Sequence, residues 1–222
     1  MAKQYPSHRN SADMETSVRR KFLFDPTKWE YRLGGILLDH PTGYLKELGF
    51  IYDGNHQRRD GLDAFQVGKF AHRGLELYAH GKLDLNTVDN RLRGYIESGI
   101  RWFDKNVTEV LGVEERLYNS TYMIAWTLDL RCRTKMSSRI AIPDYTIAAN
   151  APWKRFQTSH YSLLAETTDV DRGCVHLKED GSLANWVPHN NPNDAQMALS
   201  FLNTARELRA NNIRLQRRRD DH

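Results

Sequence analysis

The sequence predicts a mixed α/β (α+β) domain, and three observations carry that prediction. Two amphipathic helical stretches come first, three short β-rich segments follow them, and a helix, a hairpin and a last helix close the chain. At 222 residues there is room for one domain with a good core, and 40% hydrophobic residues with 10% aromatics support a globular fold. The packed region is expected over residues 22–212. Residues 1–21 are polar and unpatterned, which predicts a flexible N-terminal segment, and 213–222 form a charged tail in which Arg217, Arg218 and Arg219 serve solubility.

Each element has its own signal. Residues 30–38 (EYRLGGILL) alternate around Gly34 and Gly35 and read as a short hairpin. A helix-like stretch over 43–48 ends at Gly49, and polar residues 52–60 form a loop. Over 62–80 the residues Phe65, Phe70, Leu75, Leu77 and Tyr78 suit a helix closed by Gly81. A second helix is expected over 86–105, with Leu92, Tyr95, Ile96, Ile100, Trp102 and Phe103 on its buried side. The period then shortens. Residues 109–118, 122–132 and 139–145 are β-rich and are broken by Asn119-Ser120 and by 135–138, so an antiparallel meander of three strands is expected. Helical spacing returns over 153–166. Residues 173–177 and 183–187 make a hairpin across Glu179-Asp180-Gly181, and a last helix from Asn193 carries Met197, Phe201, Leu202, Ala205 and Leu208. The chain has no internal repeat.

Composition narrows the function classes only a little. A net charge of +4 and a pI of about 9.0 fit a polyanionic partner without requiring one. Cys132 and Cys174 lie in separate segments without CxxC spacing, which argues against a zinc ribbon or a disulfide scaffold. No apolar run reaches about 18 residues and no charged-then-apolar leader is visible, so a cytoplasmic protein with no membrane partner is the expectation.

The chemistry centres on Asp129 and Asp144, each at the end of a predicted strand. If those strands pair, both carboxylates can face one point, where they repel unless a divalent cation such as Mg²⁺ or Mn²⁺ lies between them. Such a pair also serves turns and caps, so its neighbours matter. Upstream, His72 and Glu76 share a helix face in GKFAHRGLE, and VEERLY contains Glu114; downstream, Gln157 and Tyr161 stand four apart on a helix.

The ordered set GKFAHRGLE, VEERLY, AWTLD, DYTI and WKRFQTSHY resembles the phage branch of the RecB-like PD-(D/E)XK nucleases, over roughly residues 28–211. The resemblance implies a restriction-endonuclease-like core, a central mixed sheet flanked by helices. It also implies Asp129, Asp144, His72 and the main-chain carbonyl of Tyr145 as metal ligands, with Glu114, Gln157 and Tyr161 completing the catalytic set. DNA would be the partner and Mg²⁺ or Mn²⁺ the cofactor. A phage-encoded protein of this kind would work in the bacterial host cytoplasm, on DNA processing or recombination and beside phage or host recombination proteins. Arg131, Arg133, Lys135, Lys154 and Arg155 are then candidate phosphate contacts, although a solvated hairpin face explains the first three equally well.

Two positions depart from the family pattern. Thr146 stands where the family carries lysine, and the spacing from Asp144 to Gln157 leaves no gap that would shift a lysine into place. Losing one such preorganised cation typically costs roughly 10²- to 10³-fold in rate. Trp126 replaces a glycine, and an indole there is expected to crowd the site entrance. Lys69 and Lys154 are the nearest replacement cations. Two functions are therefore expected: a weakened metal-dependent exonuclease-like DNA nuclease, or a pseudonuclease that binds nucleic acid or a host protein. Thr146→Lys separates them. Faster cleavage would reveal an otherwise intact site, and no change with metal bound would support a binding role.

Overall fold

The computed structural model describes residues 21–51, 63–148, 151–165 and 169–215. The chain divides into two compact units, Met1–Leu38 and Asp39–His222, where the sequence suggests one packed region from residue 22 onward. The predicted loop at 52–60 lies outside the described residues.

The first unit is a three-stranded antiparallel sheet, β1 (Phe22–Asp25), β2 (Glu30–Leu33) and β3 (Ile36–Leu38). Gly34 and Gly35 have φ of 58° and 85°, the left-handed values that a two-residue turn between paired Leu33 and Ile36 requires. Strand β1 has no counterpart in the sequence reading. It is held by Phe24, whose ring lies 4.8 Å from Tyr31 across the ladder.

The second unit begins with α1 (Pro41–Glu47), α2 (Ala64–Ala79) and α3 (Asn90–Asn106). Asp63 and Asp89 cap α2 and α3 by accepting from Phe65 and Arg91 main-chain N–H groups, which places both starts later than apolar periodicity alone suggests. The buried stripe of α2 is Val67, Ala71, Gly74 and Leu75, while Phe65 and Phe70 are 77% and 52% exposed. The two phenylalanines that suit the predicted helix therefore lie off its core face.

Five strands follow: β4 (Val107–Asn119), β5 (Ile124–Thr134), β6 (Ser137–Thr146), β7 (Val170–His176) and β8 (Asn185–Pro188), in spatial order β4-β5-β6-β7-β8. The pairs β4/β5, β5/β6 and β7/β8 are antiparallel and β6/β7 is parallel, so the sheet is mixed and helices flank it. Parallel neighbours cannot be joined by a tight turn, and α4 (Lys154–Leu164) lies in the connection. Leu75, Tyr95, Ile96 and Trp102 from the helices pack with Leu130, Cys132, Tyr145 and Val175 from the strands. At Gly94 a Cβ would lie 1.7 Å from the Glu179 carbonyl oxygen, so α3 meets the β7–β8 connection through a residue without a side chain. No helix among the described residues is long and apolar enough to cross a membrane.

The last helix, α5 (Asp194–Ala210), is tied to α4 and β7 by charge. Asp194 is 1% exposed and accepts from Arg155 at 2.7 Å and from Arg172 at 3.3 Å. Removing one side of a buried pair leaves the other uncompensated, so Asp194→Ala should cost about 3–5 kcal/mol in denaturant unfolding. A loss below about 1 kcal/mol would mean that both arginines find other acceptors.

Candidate metal centre

The β5/β6 register pairs Cys132 with Ala141, and carrying it three residues further sets Asp129 opposite Asp144. The main-chain ladder stops short of that point. Pro143 has no N–H with which to extend it. A side chain takes over, with Asp129 Oδ2 accepting the Tyr145 N–H at 2.8 Å. On the other side, the pairs Val113 with Leu130 and Glu115 with Leu128 leave Glu114 opposite Asp129. Glu114 has a φ of 48°, a left-handed backbone that costs a non-glycine residue about 1 kcal/mol or more.

Helix α2 delivers His72 to this point. Its Nε2 lies 2.8 Å from the Tyr145 carbonyl oxygen and its Nδ1 3.3 Å from Asp129 Oδ1. The carbonyl accepts only, and so does an ionised carboxylate, so the surroundings favour the imidazolium form, in which both ring nitrogens donate. Burial opposes that charge, but the Asp129 carboxylate outweighs it and raises the His72 pKa to about 9. The same pairing holds Asp129 below its ordinary value against the effect of its own burial. Burial first, and then Asp129, push the Glu114 carboxyl well above the usual carboxylate range.

His72, Glu114 and Asp129 each offer one ligand atom, and these atoms lie within 4.8 Å of one another. The Tyr145 carbonyl faces the same imidazole. The group can hold a metal ion, because an imidazole nitrogen and two carboxylates already converge and the His72 proton already serves as a positive charge between acceptors.

Asp144 is placed differently. It is 1% exposed and is gripped by one stripe of α4. Lys154 Nζ lies 2.5 Å from its Oδ2, while Gln157 Nε2 and Tyr161 OH donate to its Oδ1 at 2.8 and 2.5 Å. Cys174 Sγ stands 3.8 Å from Oδ2. The Lys154 ammonium remains charged, since Asp144 raises its pKa against the opposing effect of burial. Gln157 Oε1 is buried with no hydrogen-bond partner among the described residues.

Of the five predicted phosphate contacts, four are engaged by carboxylates. Arg131 makes a two-pronged bond to Glu115 at 2.7 and 2.9 Å, Arg133 meets Glu109 at 3.1 Å, Arg155 meets Asp194, and Lys154 meets Asp144. Lys135 is exposed on the β5–β6 turn, and Lys69 is exposed on α2. The Trp126 ring is buried and stacks on His40 at 5.6 Å. Thr146 is buried, and its hydroxyl accepts the Ala148 N–H at 3.2 Å.

Neither protein-family models nor curated protein sequences match this chain. The site itself therefore carries the functional argument.

The protonated His72 sets a pH dependence. Its folded pKa of about 9 exceeds the ordinary 6.5, so its contribution to stability is full below pH 6.5 and is lost as pH rises through about 9. Glu114, also raised, acts in the same direction, because the folded chain holds more protons than the unfolded one. The melting temperature of metal-free protein should fall across this interval. The rise in melting temperature caused by Mn²⁺ should grow across it, since the ion replaces protons. A metal effect independent of pH would contradict the assignment.

Proposed function

We propose that the chain is a metal-dependent DNA nuclease of the RecB-like PD-(D/E)XK type, with a restriction-endonuclease-like core and exonuclease-like action in phage DNA processing or recombination. The supporting observation is the cluster of His72, Glu114, Asp129 and the Tyr145 carbonyl. It is assembled from α2, β4, β5 and β6, in the chain order that the resemblance implies. A donor set of oxygens with a single imidazole suits Mg²⁺ or Mn²⁺. Such an ion would supply Lewis-acid polarisation of a phosphodiester oxygen and a more acidic water.

The chain's own residues contribute orientation and charge. Tyr145 N–H locks the Asp129 carboxylate, so that residue needs no reorganisation to accept a cation. His72 must release one proton to present a lone pair, and the Tyr145 carbonyl remains close to the freed nitrogen. Gln157 and Tyr161 hold Asp144 in one orientation. The second reading, a pseudonuclease that binds nucleic acid or a host protein, draws support from the uncharged, buried Thr146 and from the carboxylates that engage most of the predicted phosphate contacts.

Titrating the full chain with Mn²⁺, while following its melting temperature and the degradation of labelled single- and double-stranded DNA, tests both. Saturation at 100 times Kd should stabilise the fold by about 2.7 kcal/mol. Asp129→Ala should abolish cleavage and weaken Mn²⁺ binding by at least about 10- to 100-fold. Stabilisation without cleavage would leave the pseudonuclease. No stabilisation at any pH would sink both readings.

A further inference from the structure

We propose that the Lys154 ammonium is a fixed second cation of this centre, so that the site takes one divalent ion rather than two. The inference rests on the metal reading above and adds to it how many ions the centre holds and which residues ligate.

The first argument is valence at Asp144. A carboxylate offers about four acceptor sites. Gln157 and Tyr161 occupy the two on Oδ1, and Lys154 and Cys174 approach the two on Oδ2. No lone pair is left for an ion unless a donor leaves. The ligand atoms that do converge belong to His72, Glu114 and Asp129, and Asp144 is not among them.

The second argument is geometry. Lys154, Gln157 and Tyr161 stand at i, i+3 and i+7 on α4, one helical stripe laid against a single carboxylate. The Lys154 side chain is 13% exposed, and its Nζ lies 5.2 Å from the Trp153 ring centre, so the ammonium is enclosed rather than turned out to solvent as a DNA contact would be.

The third argument is charge. Glu114, Asp129 and Asp144 can supply at most three negative charges, which one ammonium with one divalent ion already balances. A second divalent ion would leave two uncompensated positive charges in a largely enclosed space, which is unfavourable. Strand β6 carries no cation of its own near this point, because Thr146 occupies the place.

The test counts Mn²⁺ bound to the full-length chain by calorimetry and by electron paramagnetic resonance, which reports coupling between neighbouring ions. One ion per chain is expected, without coupling. Lys154→Arg should stay at one. Lys154→Met, folded by circular dichroism, should take a second ion on the freed Asp144 and show coupling. Lys154→Met combined with Asp144→Asn removes both charges of the pair and should return to one. Two ions on the unaltered protein would overturn the inference while leaving the nuclease reading intact, as would a folded Lys154→Met that stays at one. A double variant that binds none would show Asp144 to be an obligatory ligand and would also overturn it. Should Lys154→Met not fold, the unaltered protein and the double variant decide. No ion at all on the unaltered protein would defeat both readings.

Discussion

The centre depends on one hydrogen bond, from the Tyr145 N–H to the Asp129 carboxylate at 2.8 Å. It stands where a main-chain ladder would otherwise run, next to a proline that cannot extend one. A strand pair interrupted in this way exposes a carbonyl and a carboxylate at one spot. Both are acceptors, and a folded chain tolerates two buried acceptors together only if something positive joins them. His72 arrives from α2 as that group.

From this constraint the two acidic residues acquire different surroundings, although the register sets them opposite each other. Asp129 faces the helix that precedes the sheet in the chain and stays partly accessible. Asp144 faces the helix that crosses between β6 and β7, where an ammonium, an amide and a phenol close over it. The parallel joint between β6 and β7 brings this about, because its crossover has to lie over the sheet and α4 carries the three donors.

Much of the fold was legible, and the reasons are local. Gly34-Gly35, the three-strand meander and the closing hairpin each carry turn residues or a period of two that need no tertiary knowledge. His72, Asp129 and the Gln157–Tyr161 pair stand out in the sequence only through the ordered set that resembles the nuclease family, because spacing alone fits an ordinary helix face equally well. Glu114 was harder. Its approach to Asp129 depends on a left-handed backbone in a β-strand, which residue type does not announce. Glu109 is the cross-strand partner of Arg133, and the Glu115 carboxylate lies over Gly112, the partner of Arg131, so those arginines look free in a linear reading and are not. Lys154 reads from the sequence both as a replacement cation and as a phosphate contact, and only the packing of α4 against β6 shows its ammonium paired with Asp144. Phe65 and Phe70 misled in the opposite sense: their bulk suggests core, yet the small residues Ala71 and Gly74 mark the packed stripe.

The backbone at Glu114 makes that position a place of conflict. Glycine would relax the left-handed turn at little conformational cost, and would at the same time delete a carboxylate from the cluster. Backbone comfort and the carboxylate therefore make opposite demands on this one residue. Glutamate there combines a less comfortable main chain with a second carboxylate in the cluster.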